Sequence, residues 1–294
     1  MKLNNRLLDL DRLLDKSDEP SLMSIISGKG GAGKSVIAYN LADSLAVQGI
    51  RTLLVDADWN FGNLHILANL IPKTSLYDIT EGRLPAVEAA TKLKSNLDLI
   101  IAPSAIQTGI EFNVNRFARF IENIRNDFRS YDLVLFDTPT GQLELLKIIS
   151  AASDLNLFVI NPELTSIANN FGLLKLLIKS NNQLNSHIFV NRADSGKDSE
   201  YIYRKLAALA GRYLKNVPFY AGYLYVHQSL IESSERQKTL READPESPLN
   251  DQFSTLCNFV TEELLERPKN NQTKASTSIN SEIIFADIKD RVND

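Results

Sequence analysis

From residue 22 onward, short apolar runs alternate with stretches whose apolar positions recur every three to four residues. The runs are LMSIIS, the apolar part of RTLLVDAD, LDLII (97–101), YDLVLFD (131–137), LNLFVI (155–160), HIFVN (187–191) and a weaker stretch from Val217 to Leu224. Each is too short for a helix and ends at a turn former, so each predicts a strand. Helical patterns lie between them, over 34–47, 115–128, 143–150, 167–179, 200–214 and 252–265. Strands alternating with helices of this length predict βαβ units. The fold class expected is therefore α/β: a three-layer, mostly parallel twisted sheet flanked by helices on both faces. The runs are nearly continuous in apolar residues, as expected of strands covered on both sides.

The two ends differ from this middle. In the first twenty residues Leu3, Leu7, Leu10 and Leu14 fall on one helical face, and Asp18-Glu19-Pro20 ends the pattern. After Pro268 the composition turns polar (KNNQTKASTSINS), and Ile284, Ile288 and Val292 then mark a second short helical stripe. The expected organisation is a helical appendage over 1–20, one large domain over 21–267, and a flexible polar tail over 268–294.

The first strand runs directly into Gly28-Lys29-Gly30-Gly31-Ala32-Gly33-Lys34-Ser35, which fits the phosphate-binding pattern G-x-x-x-x-G-K-[ST]. Glycines let backbone N–H groups converge on phosphate oxygens, and the following helix turns its positive end toward them. Lys34 would reach the β- and γ-phosphates, and the Ser35 hydroxyl would bind Mg²⁺. Two further carboxylate positions close strands. RTLLVDAD ends in Asp56 and Asp58, and YDLVLFD ends in Asp137. At the carboxyl end of an open sheet these lie where ligands bind, although strand-end aspartates also serve as plain turn residues. Of the first pair, one is expected to support the phosphate loop and the other to reach water and metal.

The string SGKGGAGKS resembles the deviant Walker A loop of the MinD/ParA/FlhG family of P-loop ATPases, a branch of the SIMIBI class. The resemblance spans about residues 21–265. It implies ATP and Mg²⁺ as cofactors and slow, partner-stimulated hydrolysis. It implies that Lys29 reaches across an ATP-dependent homodimer to the partner's nucleotide. It further implies that Asp58, in a segment similar to switch I (WNFGNLHIL, with Asn63), positions the attacking water near Mg²⁺. Asp137, in a segment like Walker B and switch II (YDLVLFDTPTG), would hold Mg²⁺, with weaker assignments at Thr138, Thr140 and Gly141. HIFVNRADS is similar to the adenine-recognition strand, which points to Asn191. Trp59 and Asn60 depart from the family pattern, where a small or aliphatic residue and then glycine are common.

Within the family, Ser75–Ile79 followed by Glu81-Gly82, the segment NPELTSIANNFGLLKLL, and the order of elements from Ala221 to Pro248 resemble the FlhG (FleN/YlxH) flagellar branch. That branch implies regulation of flagellar placement or number, with an FlhF-like GTPase or a flagellar component as partner. The element by which such proteins stimulate the GTPase has no faithful counterpart among residues 5–13. A ParA- or MinD-type partitioning ATPase and a nucleotide-binding scaffold with little turnover are the alternatives.

Charge narrows these readings. Thirty-two Lys and Arg against 36 Asp and Glu give a net charge of −4, which speaks against DNA despite Arg204, Lys205, Arg212 and Lys215 in one helical stretch. The tail's helical stripe carries Glu282, Asp287, Asp290 and Asp294 against Lys289 and Arg291, a poor match to anionic lipid. No signal peptide or membrane span is evident, so the cytoplasm is expected, with peripheral contact at the inner membrane or pole left open. A single cysteine, Cys257, excludes an internal disulfide or a cysteine-only metal site, and His65, His187 and His227 lack metal spacing.

Overall fold

Among the described residues, eight strands pair in the order β3-β4-β2-β5-β1-β6-β7-β8. They are β1 (Ser21–Ile26), β2 (Thr52–Asp56), β3 (Thr91–Lys94), β4 (Leu97–Ile100), β5 (Leu133–Asp137), β6 (Leu155–Ile160), β7 (Ser186–Ala193) and β8 (Phe219–Tyr225). The computed structural model describes residues 19–103, 110–214 and 216–266. The expected helices at residues 3–14 and 284–292 therefore lie outside the described residues, as does Lys215. Every pairing is parallel except the hairpin of β3 with β4.

Alternate residues of each strand feed opposite faces. Met23, Leu54, Leu135 and Leu157 enter one core with helices α1 (Lys34–Val47) and α10 (Leu249–Thr261). On the other face, Leu53, Val55, Val134 and Phe136 pack with α4 (Val114–Asp127) and α5 (Leu143–Ala152). Phe158, Ile160, Ile188 and Val190 pack with α6 (Leu164–Ser180) and α7 (Gly196–Tyr213). Covered on both sides, the sheet has the three layers that the alternation predicts.

The sequence pattern does not show the antiparallel edge strand β3. Its four residues, TKLK, are half exposed, and the lysines suit an edge that must not recruit another chain. The short helices α2 (Leu64–Leu67), α3 (Leu76–Thr80), α8 (Gln228–Glu235) and α9 (Leu240–Ala243) are likewise too brief to give a period. Helix α7 starts four residues before its expected position because Ser195 caps it, its hydroxyl accepting from the Asp198 amide at 3.1 Å.

Lys94 joins three elements: its ammonium lies 2.5 Å from Asp43 on α1 and 2.9 Å from Glu242 on α9. Asp43 is buried. Replacing Lys94 by alanine leaves that carboxylate without its cation and is expected to cost about 1–3 kcal/mol. Urea denaturation would measure it, and an unchanged midpoint would show that water compensates Asp43.

Candidate functional site

β1 lies between β5 and β6, with β2 and β7 beyond them, so the chain leaves β1 where the strand order reverses. Crevices form at such a point. Here the chain turns through residues 27–33 into α1. Gly31 and Gly33 have φ of +73° and +95°, conformations L side chains rarely adopt. Gly28 is required for a different reason: a Cβ there would lie 2.5 Å from the Asn169 carbonyl. Its amide donates to Asn170 Oδ1 at 2.9 Å, which ties the loop to α6.

Lys34 folds back under the loop and is buried, its ammonium donating to Thr140 Oγ1 at 2.8 Å. Burial pulls its pKa down, and the carboxylates of Asp137 and Asp58 oppose that pull. Asp137 accepts a hydrogen bond from Ser35. Desolvation pushes Asp137 up to about 6, against the attraction of Lys34 and that hydrogen bond, and the charge of Asp58 raises it further. Its Oδ1 is buried with no hydrogen-bond partner among the described residues. A hydroxyl beside a carboxylate oxygen that lacks a donor is a donor set that suits a hard divalent cation such as Mg²⁺.

Asp56 stands opposite Asp137 in the β2–β5 register. It is fully buried, and burial next to Asp137 holds its carboxyl well above the ordinary range. Its Oδ1 accepts from the Asp58 amide at 3.1 Å and its Oδ2 from the Leu64 amide at 3.0 Å. Asp56 thus pins both ends of the 57–64 loop rather than supporting the phosphate loop as its strand position suggests. Gly62 completes this closure, because a Cβ there would meet Asp56 Oδ2 at 2.8 Å and Ala102 Cβ at 2.1 Å. Asp58 is partly exposed and faces the pole where Lys34 and Asp137 sit; its Oδ1 accepts from the Phe61 amide at 3.1 Å.

Lys29 points away from this pole. Its ammonium pairs with Glu163, the N-cap residue of α6. Both side chains are well exposed, and such pairs are worth about 1 kcal/mol or less, so the contact is cheap to exchange. Asn191 closes the loop from β7: its Nδ2 donates to the Ala32 carbonyl at 2.8 Å, and its Oδ1 accepts from the Arg192 amide at 3.0 Å. This amide leaves one N–H and one lone pair for an adenine edge. The same Nδ2 would sit 2.4 Å from a Cβ on Gly33. Ala32 is buried, while Gly30 and Gly31 are exposed at the rim.

Sequence reasoning missed several parts of this arrangement. Glu163, Asn170 and Gly62 carry no motif of their own; only contacts between distant segments reveal them. Outside the site, burial pushes the Cys257 thiol up to about 11, which leaves it inert at neutral pH. Arg204, Lys205 and Arg212 lie on α7, with Arg204 paired to Glu200 and the other two cations over tyrosine rings. Among the described residues, no helix is long and apolar enough to cross a membrane, and no group of three or more His, Cys, Asp or Glu side chains gathers as a metal cluster.

Comparison with known proteins agrees with this fold. A family model described as AAA domain matches residues 21–190. The chain is 27% identical over 240 residues to the antiactivator FleN of Pseudomonas aeruginosa, covering 81% of this chain and 85% of that protein. It is 23% identical over 286 residues to the flagellum site-determining protein YlxH of Helicobacter pylori, covering 91% and 95%. The septum site-determining protein MinD complexed with Mg-ADP from Pyrococcus horikoshii superposes with a TM-score of 0.68 at 19% identity, over 87% of this chain and 100% of that one. With a phosphate loop at the switch point of an eight-stranded sheet and the family model matching more than half its length, the chain belongs to the AAA-domain family of P-loop ATPases of the MinD/ParA type.

Proposed function

We propose that this chain is an ATP-driven switch that dimerises with ATP and regulates the placement or number of flagella. The observation that carries the switch reading is the pair of lysines on one loop. Lys34 is buried among Thr140, Asp137 and Asp58, whereas Lys29 faces outward on a weak contact with Glu163. Lys34 already fills its own phosphate pole, and the weak contact of Lys29 with Glu163 is one it can exchange for the nucleotide of a second copy. The flagellar part rests on the names of FleN and YlxH and on alignments that run over most of this chain.

In this reading residues 21–267 are the ATPase domain, flanked by the 1–20 and 268–294 segments. The loop amides from Gly28 to Ser35 cradle the phosphates, and Lys34 neutralises the transferred group. Ser35 and Asp137, with Asp58 nearby, would hold Mg²⁺, which when bound would supply charge neutralisation on the phosphates. Asn191 meets the adenine edge. Asp58 accepts a hydrogen bond from the attacking water and orients it. The water oxygen bonds to the γ-phosphorus, the bond to the ADP oxygen breaks, and the released proton leaves with phosphate. Positioning and electrostatics account for most of the catalysis in such a reaction. Turnover is slow until a protein partner, an FlhF-like GTPase or a flagellar component, engages the dimer. The protein works in the cytoplasm, with peripheral contact at the inner membrane or cell pole left open.

Lys29→Ala is expected to keep ATP binding while losing both the ATP-dependent dimer and turnover. Size exclusion with a nonhydrolysable ATP analogue reads this directly; a dimer peak unchanged in the variant would overturn the trans role of Lys29. Deleting the gene in its host and counting flagella by electron microscopy tests the cellular role. Flagella unchanged in number and position would favour a partitioning ATPase.

A further inference from the structure

Trp59 is the only tryptophan in the chain, and it directly follows Asp58. Its side chain turns away from the phosphate pole and is 4% exposed. It packs edge-on against Phe112 at 5.2 Å between ring centroids and against Tyr77 of α3 at 6.3 Å. Phe112 in turn leads into a run of rings along α4, Phe117 at 5.5 Å and then Phe120 at 5.9 Å. Immediately beyond Trp59 the order of burial reverses: Asn60 is exposed and Phe61 is 81% exposed.

We infer that Trp59 is a positioning residue for Asp58, the anchor that fixes the water-orienting carboxylate against the α3–α4 side of the sheet. The inference rests on the proposed role of Asp58. On its N-terminal side Asp58 is held by its amide's bond to buried Asp56. On its C-terminal side two contacts hold it, the Phe61 amide on its Oδ1 and, through the backbone, Trp59 in the buried tier; the side chains of Asn60 and Phe61 lie in solvent. Pairs of rings in this geometry add attraction beyond burial. Among the described residues the indole N–H has no hydrogen-bond partner, and the contacts that hold the ring there are those of shape and neighbouring rings. Another aromatic ring should therefore replace it, and a small side chain should not.

The test compares Trp59→Ala, Trp59→Phe and Asp58→Ala in steady-state ATP hydrolysis, well below the melting temperature of each. Phe128→Leu, further along the aromatic run beyond Phe120, serves as a control for general loss of packing. Trp59→Ala should lower kcat by about 10- to 100-fold, the scale of a small misplacement of a reacting group. Its KM for ATP should stay within about twofold, as for an interaction made only in the transition state. Trp59→Phe should restore most of kcat, and Phe128→Leu should leave it unchanged. Wild-type kcat in folded Trp59→Ala, or an equal loss in Phe128→Leu, would overturn the inference. Failure of Asp58→Ala to slow turnover would instead overturn the reading of Asp58.

A second measurement needs no variant. Indole emission from the wild-type chain should be protected from acrylamide both without nucleotide and with a nonhydrolysable ATP analogue and Mg²⁺. Full quenching in the nucleotide-bound form would show that Trp59 leaves its shelf when Asp58 is needed, and would overturn the inference.

Discussion

Replacing Asp58 by alanine is expected to leave ATP binding intact and to slow hydrolysis by about 100- to 1,000-fold, the usual range for loss of one well-placed polar group. Asp58 does not line the loop that cradles phosphates. Its backbone is tied to Asp56, and one carboxylate oxygen already accepts from the Phe61 amide. The other oxygen is available to a water at the pole formed by Lys34 and Asp137. A carboxylate there adds nothing to ground-state affinity for a tetra-anionic nucleotide and disfavours it slightly by charge. Its removal should therefore lower kcat with KM steady or falling. Asp58→Asn keeps an acceptor oxygen and is expected to fall between alanine and wild type. Isothermal titration with a nonhydrolysable analogue, beside steady-state kinetics, separates binding from turnover. Unchanged kcat in the alanine variant would move the water-orienting role elsewhere.

The fold was legible where long-range structure writes itself as a local period. The parallel strands are buried on both faces, so LVLF and LNLFVI stand out as apolar runs, and the covering helices repeat every three to four residues. β3 escaped because a four-residue edge strand with two lysines has neither signature. The phosphate loop was legible for a different reason. Its geometry needs glycines at Gly31 and Gly33, where φ is positive, and that demand appears directly in the residue types. Gly62 answers to a similar demand, close approach to Asp56 and Ala102, but a lone glycine carries no signal without knowing what it approaches. Glu163 and Asn170 are silent for the same reason. They lie about 130–140 residues from the loop they touch, and only the crossover of β6 beside β1 brings them there. Asp56 shows the limit of strand logic. Period two put it on a face with Asp58, yet the 57–64 loop curls back over it and turns it into a buried double acceptor.

Asp137→Asn is expected to stabilise the nucleotide-free chain while abolishing Mg²⁺-dependent turnover. The sign follows from proton linkage. In the folded chain the Asp137 carboxyl is pushed up to about 6 from an ordinary value of 3.8, with desolvation the main cause. Between those two pH values the folded state binds more protons than the unfolded state, so stability falls as pH rises through that window. Above it the ionised group keeps its full burial penalty. About two pKa units at 1.36 kcal/mol each sets an upper bound near 3 kcal/mol. Asparagine has nearly the same shape and no charge, so above pH 6 the variant should melt higher, by roughly 2–4 °C for each kcal/mol regained in a chain of this size. Toward pH 4, where the folded carboxyl is protonated and the unfolded one nearly half so, the two curves should draw close. Added Mg²⁺ and a nonhydrolysable ATP analogue should reverse the order, because ligand bound only by the folded state stabilises the wild type and the variant has lost a cation-holding oxygen. Thermal melts at pH 4 and pH 8, with and without both ligands, read all four cases. A variant less stable than wild type at pH 8 without ligand would mean that Asp137 earns more from Lys34 and Ser35 than burial takes from it.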